Sequence, residues 1–216
     1  MVSSFEVETP HGPARVHLHP AGAATGATRP RRRSAAGNAA RAALVLGHGA
    51  GGGVGSRDLT RATAVANAAD VAVALVEQPY RVAGRRSPAP AAQLDAAWLA
   101  VVERLKADEL GGRPLIVGGR SSGARVACRT AAQASAVGVL CLAFPVHPPG
   151  RPDKTRLPEL DAVEVPTLVV QGAGDPFGMP PAAPNREVVT VKGTHSLNTD
   201  LPAIGDAIAA WLQRVV

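Results

Sequence analysis

The chain has 216 residues, a net charge of +6 and a pI of about 10.3. This length predicts a single domain with a substantial core, and it leaves no room for a cap domain on a seven- or eight-stranded sheet. No apolar run approaches the roughly 20 residues that cross a bilayer, and the N-terminus lacks a signal pattern. We therefore expect a cytoplasmic protein with no membrane partner.

Arginine supplies all but three of the 23 basic residues. This bias, together with abundant Ala, Gly and Pro, is typical of a GC-rich genome and weakens the functional interpretation of any single arginine. The one basic run, Arg29–Arg33, lies in a Gly/Ala/Pro-rich segment without interleaved aromatic residues. Because no nucleic-acid-binding module accompanies this run, we expect no nucleic-acid partner.

The first predicted elements form an antiparallel hairpin over residues 5–9 and 14–18, and a low-complexity loop over 20–41 follows. From residue 42 onward, short apolar runs alternate with helical patterns. The predicted strands are 42–47, 71–77, 114–118, 137–143, 166–171 and 187–191, and the predicted helices are 58–69, 92–108, 122–134 and 201–214. This alternation predicts an α/β fold with a mostly parallel sheet of seven to eight strands and helices on both faces.

A glycine-rich loop, His48–Gly53, follows the first of the parallel strands. One interpretation is that the backbone N–H of Ala50 or Gly51 donates to an oxyanion. The other is a dinucleotide-binding fingerprint, since Gly47-x-Gly49-x-x-Gly52 follows a strand and Glu77 ends the next one. About 40 residues precede this run, whereas such a fingerprint usually opens its domain, so the second interpretation is the less favoured one.

Residues 115–123, Leu-Ile-Val-Gly-Gly-Arg-Ser-Ser-Gly, contain the most informative motif. An apolar strand ends in Gly-x-Ser-x-Gly and a helical pattern follows at once, which is typical of a nucleophile elbow. In such an elbow a strained turn lifts a serine hydroxyl clear of the sheet. We predict that Ser121 is the nucleophile and that the backbone N–H of Ser122 is a second oxyanion donor.

An acid and a histidine follow the last two predicted strands. Asp175 lies in Gly-Ala-Gly-Asp-Pro and His195 lies in Lys-Gly-Thr-His-Ser. Both come just after the C-terminal end of a strand, the edge at which parallel sheets place catalytic groups. The chain order Ser, Asp, His therefore predicts a triad in which His195 is the base for Ser121 and Asp175 orients its imidazole.

Clues to the substrate are fewer. Tyr80 and Arg81 follow the strand at 71–77, and His147 lies in a proline-rich segment after the strand at 137–143. These three are candidate substrate-binding residues. A convergence of Arg81 with Arg85 and Arg86 would suit an anionic acyl group, and the alternative is a set of exposed loop arginines. Loops 49–56, 78–90 and 144–160 are expected to wall the mouth of the site.

The motifs Gly-His-Gly-Ala-Gly-Gly, Gly-Gly-Arg-Ser-Ser-Gly, Gly-Asp-Pro-Phe-Gly and Gly-Thr-His-Ser-Leu resemble those of the α/β-hydrolase superfamily. More narrowly, residues 40–216 resemble small predicted α/β-hydrolases related to dienelactone hydrolases. The resemblance implies nucleophile, acid and base roles for Ser121, Asp175 and His195, with no cofactor or metal. Ser122 departs from the pattern, because such relatives often carry a bulkier residue there. The superfamily includes esterases, thioesterases, amidases and inactive scaffolds.

We therefore expect a serine hydrolase that acts on small carboxylic esters or thioesters through an acyl-enzyme, with a small-molecule acyl substrate as its partner. One alternative is an inactive binding or scaffold protein with the same fold. A dinucleotide-binding enzyme is the less favoured alternative. The sequence makes no prediction about the oligomeric state.

Overall fold

An eight-stranded sheet runs through the protein, whose computed structural model describes residues 2–22 and 40–216. The strands are β1 (Ser3–Val7), β2 (Ala14–His19), β3 (Ala42–Gly47), β4 (Val71–Glu77), β5 (Leu115–Arg120), β6 (Gly138–Leu142), β7 (Thr167–Gly172) and β8 (Arg186–Val191). The arginine run and most of the loop predicted over 20–41 lie outside the described residues.

The strand order across the sheet is β1-β2-β4-β3-β5-β6-β7-β8. The predicted hairpin is present: β1 pairs with β2 and β2 with β4 in antiparallel fashion, while all the other pairs are parallel. The order reverses at β3, which pairs with β4 on one side and β5 on the other. Ligands bind outside the carboxyl ends of the strands at such a switch point.

The helices are α1 (Arg57–Ala68), α2 (Pro79–Val82), α3 (Ala91–Ala107), α4 (Ser122–Thr130), α5 (Leu157–Asp161) and α6 (Leu201–Val215). The four longer helices were predicted, and the short helices α2 and α5 were not. Both begin with proline in their first turn and have only four and five residues, so no apolar period is long enough to reveal them. No helix within the described ranges could cross a membrane.

Two hydrophobic clusters cover the two faces of the sheet. Helices α3 and α4 bury Trp98 and Val126 against one face, where α5 adds Leu160. Helices α1 and α6 bury Leu59 and Trp211 against the other. Because both faces are covered, the central strands read as continuous apolar runs rather than alternating ones. The structure confirms the predicted α/β architecture.

The two cysteines lie in the hydrophobic cluster that includes α4. Cys128 of α4 and Cys141 of β6 are both buried and free, and their Sγ atoms are 3.5 Å apart. The hydrogen bond between the two thiols is the larger cause, and burial the next, that raises the pKa of Cys128 well above its usual value. The thiols therefore belong to the core packing rather than to a reactive site.

Candidate active site

Ser121 lies in a strained turn between β5 and α4. Its backbone has φ 53° and ψ −107°, a conformation that non-glycine residues rarely adopt. The Ser121 N–H donates to the Leu142 carbonyl oxygen at 2.9 Å, which holds the turn against β6. A Cβ atom at Gly119 would lie 2.5 Å from the Gly47 carbonyl oxygen, and one at Gly123 would meet the same oxygen. The two glycines of the motif thus let the elbow approach the end of β3.

His195 connects Ser121 to Asp175. The distance from His195 Nε2 to Ser121 Oγ is 2.9 Å, and the distance from His195 Nδ1 to Asp175 Oδ2 is 2.8 Å. The Asp175 side chain is 1% exposed and the His195 side chain 16% exposed. The three residues come from loops after β5, β7 and β8, and they meet at one edge of the sheet. Both distances are within direct hydrogen-bond reach.

Asp175 is held by two further donors that face its carboxylate. The side-chain amide of Gln171, in β7, donates to Asp175 Oδ2 at 2.8 Å, and the Phe177 backbone N–H donates to Oδ1 at 2.9 Å. The Phe177 ring packs edge-on against the His195 ring with 4.4 Å between centroids. These contacts fix the carboxylate and the imidazole in the orientation that reaches Ser121.

Arg120, the residue before Ser121, ties the histidine loop to the first long helix. Its Nη2 donates to the His195 carbonyl oxygen at 3.1 Å, and its Nε lies 3.1 Å from Oδ2 of Asp58. Asp58 is fully buried in the first turn of α1. Arg120 and Asp58 were not among the predicted site residues. The only local signal is a basic residue inside the elbow motif, and its partner lies 62 positions earlier in the chain.

The predicted oxyanion donors lie at the same place. Ala50, Gly51 and Ser122 line a cavity of about 350 Å³ together with Ser121 and His195. The Tyr80 hydroxyl donates to the Ala50 carbonyl oxygen at 2.8 Å, which supports the glycine-rich loop from behind. The glycine-rich loop and the start of α4 thus line the same cavity as Ser121.

His48 supports the glycine-rich loop and lies outside the catalytic constellation. Its Nδ1 lies 2.8 Å from the Gly49 carbonyl oxygen, and its Nε2 accepts from the Gln78 backbone N–H at 3.1 Å. Burial lowers the pKa of His48 from its ordinary value, so the neutral ring is favoured. These contacts give His48 a structural role in the glycine-rich loop.

The three loops that were expected to wall the mouth supply part of the cavity lining: Ala50, Gly51, Pro88, Pro145, Pro149 and Arg156. Arg120 of β5, Arg125 of α4 and Phe177 after β7 lie outside those loops and also line the cavity. Its size is within the range of small-molecule sites. Among residues 2–22 and 40–216, no cluster of three or more His, Cys, Asp or Glu side chains is arranged to hold a metal ion.

Three predicted substrate-binding residues are not among the described residues that line this cavity. Tyr80 is buried behind the glycine-rich loop. Arg81 Nη1 donates to the Arg85 carbonyl oxygen at 3.3 Å, and His147 Nδ1 lies 3.0 Å from the Pro148 carbonyl oxygen. Three arginines line the cavity instead, Arg120, Arg125 and Arg156, and none of them was predicted from the sequence to bind substrate.

Comparison with solved structures identifies the fold. A lid-free α/β serine hydrolase from Xanthomonas campestris is 19% identical, with a TM-score of 0.76 over 99% of this chain and 94% of that one. Est1E from Butyrivibrio proteoclasticus is 14% identical, with a TM-score of 0.74 over 98% of each chain. A dienelactone hydrolase from Anabaena variabilis is 16% identical, with a TM-score of 0.71 over 100% of this chain and 98% of that one.

A comparison with curated proteins returned no match. The family model described as an alpha/beta hydrolase domain matches residues 40–199, which is most of the chain and includes the elbow, the Asp175 turn and the His195 loop. The sequence motifs, the sheet order and this match agree, and the chain belongs to the α/β-hydrolase family.

Proposed function

We propose that this protein is a serine hydrolase that acts on small carboxylic esters or thioesters through an acyl-enzyme. The observation that carries the proposal is the continuous hydrogen-bonded series from Asp175 through His195 to Ser121, at the wall of a small cavity. A serine becomes a useful nucleophile when a positioned base takes its proton and a third group orients that base. Along this series, the nucleophile Ser121 lies 2.9 Å from the base His195, and His195 lies 2.8 Å from the carboxylate of Asp175 that would orient it.

In the acylation half-reaction, Ser121 Oγ attacks the carbonyl carbon of the substrate while its proton moves to His195 Nε2. Asp175 stabilises the imidazolium that results and keeps Nδ1 protonated. When the tetrahedral intermediate collapses, the bond from the carbonyl carbon to the leaving oxygen or sulfur breaks. His195 then gives its proton to the departing alcohol or thiol, and the acyl group remains on Ser121.

The negative charge on the carbonyl oxygen requires fixed donors. The backbone N–H of Ser122 and that of Ala50 or Gly51 are assigned to this role, because these residues line the cavity together with Ser121. Losing one such donor typically reduces kcat by about 100- to 1,000-fold, since the donors are already oriented before charge develops. The Tyr80–Ala50 hydrogen bond supports this orientation.

Deacylation repeats the sequence with water. His195 takes a proton from a water molecule, whose oxygen attacks the acyl carbonyl carbon, and the bond to Ser121 Oγ breaks as His195 returns the proton to it. The products are the carboxylic acid and the free enzyme. No redox equivalent or bound cofactor enters this balance.

Two other functions remain as outcomes of the test. A binding or scaffold protein with this fold would not react at Ser121. In a dinucleotide-binding enzyme, Glu77 would contact a ribose, but its Oε2 lies 3.1 Å from His17 Nε2 and 3.9 Å from Arg15 Nη1. The Glu77 carboxylate is thus already occupied by the N-terminal hairpin.

A fluorophosphonate probe with intact-mass detection tests the proposal. We expect one label per chain on the wild-type protein, none on Ser121→Ala, and full labelling on Ser87→Ala, which removes an exposed hydroxyl from a loop at the mouth. A folded wild-type protein that takes no label favours the scaffold function. A thermal shift with NAD or NADP, in the absence of labelling, favours the dinucleotide function.

A further inference from the structure

Arg156 contributes a cation to the cavity that contains Ser121. The side chain is partly buried just before α5, at the end of the loop that follows β6. Within the described residues, no carboxylate lies within ion-pair distance of its guanidinium. Arg156 therefore differs from the other two arginines that line the cavity, Arg120 and Arg125, each of which is paired with an acid.

The neighbouring arginines are compensated. Arg125 Nε donates to Glu159 Oε2 at 2.8 Å and its Nη2 to Oε1 at 2.5 Å. Arg129 pairs with both oxygens of Asp95 and, at 3.1 Å, with Glu159 Oε2.

Arg120, which also lines the cavity, is compensated by Asp58. With Arg156 included, the cluster on the α4 and α5 side of the cavity holds three guanidinium groups and two carboxylates. One positive charge is left over. It is assigned to Arg156, on which the charge of Glu159 acts but which has no carboxylate at ion-pair distance within the described residues.

This charge is held in an unfavourable environment. Burial, followed by the repulsion of Arg125, lowers the pKa of Arg156 from its ordinary value. A guanidinium nevertheless stays protonated in proteins, so the group cannot escape the cost by losing its proton. An anion that enters the cavity would relieve the repulsion and satisfy the open donors.

We propose that Arg156 forms a carboxylate subsite. The substrates are then small esters or thioesters that carry one free carboxylate in addition to the group that is cleaved. The inference deepens the proposed hydrolase function and rests on it. A carboxylate fits better than a phosphate dianion, because one uncompensated charge matches one negative charge and a planar fork matches two carboxylate oxygens. The cavity of about 350 Å³ suits a half-ester of a short dicarboxylic acid.

The sequence had left an anionic substrate open only if Arg81, Arg85 and Arg86, after β4, converged at the site, and it favoured exposed loop arginines. None of these three is among the described residues that line the cavity. The structure assigns the charge instead to the loop after β6. Arg156 is the cavity-lining arginine whose guanidinium has no carboxylate at ion-pair distance in the described part of the chain.

Binding can be measured without turnover in the Ser121→Ala background. The probes are monomethyl glutarate, which keeps one free carboxylate at pH 7, and dimethyl glutarate, which has none. We expect the half-ester to bind at least about tenfold more tightly by NMR titration, since a charge-assisted hydrogen bond is roughly twice as strong as a neutral one. Adding Arg156→Gln should remove this preference, and Arg156→Lys should retain part of it.

Arg151→Gln is the matched control, because Arg151 is an exposed arginine on the same loop and is not among the residues that line the cavity. It should leave the preference intact. Equal affinity for the two probes, or equal losses in Arg151→Gln and Arg156→Gln, would overturn the subsite. A wild-type protein that is not labelled by the fluorophosphonate would instead overturn the hydrolase function, whatever the two affinities are.

Discussion

At the scale of single residues, the position of His195 depends on more than its partner Asp175. The Arg120 guanidinium holds the His195 main chain, and Asp58 neutralises that guanidinium from a fully buried position. Arg120 is thus a positioning residue that acts through the histidine loop. A buried pair of this kind contributes little net stability, but removing one partner leaves the other charge uncompensated.

Asp58→Asn is therefore expected to lower the free energy of unfolding by about 3 kcal/mol, measured by urea denaturation. It should also lower kcat, because Arg120 then loses its fixed place beside the His195 carbonyl oxygen. The exposed pair Lys106–Glu103, 3.0 Å apart, supplies the control, and Glu103→Gln should change stability by no more than about 0.5 kcal/mol.

A double variant separates stability from positioning. Asp58→Asn combined with Arg120→Met removes both charges, so it should recover part of the lost stability while kcat stays low. Recovery of kcat in the double variant would contradict the positioning role of Arg120.

The predicted triad residues and the unforeseen residues of the site differ in how local their signals are. Ser121, Asp175 and His195 each lie in a short glycine-containing turn after an apolar strand, so a window of about ten residues identifies them. No such local pattern identifies Asp58 or Arg156. The importance of Asp58 comes from its partner on β5, and that of Arg156 from a partner that is missing, and only tertiary packing determines either.

At the scale of elements, α5 is clamped to α4 by a single carboxylate. Glu159 of α5 accepts from Arg125 and Arg129 of α4, the helix that begins at the elbow. Burial alone would raise the pKa of Glu159, but the hydrogen bond and charge of Arg125, and then those of Arg129, outweigh it and lower the pKa below 4.5. The contact between α4 and α5 thus depends on the ionised form of Glu159.

The ionisation of Glu159 determines how the stability of the protein depends on pH. A lowered folded-state pKa means that the carboxylate contributes stability above its ordinary pKa, and that this contribution disappears as the pH falls through the lower folded value. The difference in unfolding free energy between wild type and Glu159→Gln should therefore be largest near pH 7 and shrink below about pH 4. Urea denaturation across this range measures it.

Glu164→Gln is the control for this series, because Glu164 is exposed. Its effect on stability should be small and nearly constant over the same range. A Glu159→Gln effect that does not change between pH 7 and pH 3 would show that the carboxylate is not the source of the clamp.

The sequence predicted the order of strands and long helices because covered parallel strands are continuous apolar runs and the helices carry a 3.6-residue period. The helix predicted over 122–134 ends at Thr130 in the structure, and its last residues form turns. The short helices α2 and α5 were not predicted, and α5 is the element that carries Glu159 and directly follows Arg156 of the cavity.

At the scale of the whole molecule, the sheet order explains why distant motifs meet. The reversal at β3 puts the glycine-rich loop next to the elbow after β5, and the parallel strands β7 and β8 bring Asp175 and His195 to the same edge. Four segments that span about 150 residues thereby converge on one cavity. A switch point needs no separate lid domain to assemble such a site.

Covalent catalysis by Ser121 can be tested with p-nitrophenyl dimethylcarbamate, whose small carbamoyl group is removed from serine only slowly by water. The proposal requires transfer of this group to Ser121 with release of one p-nitrophenolate per chain. Intact-mass measurement and peptide mapping should therefore find one carbamoyl group, on Ser121, in wild type and in Ser87→Ala, and none in Ser121→Ala. A carbamoyl group on another residue, or a folded wild-type protein that acquires none, would contradict covalent catalysis by Ser121.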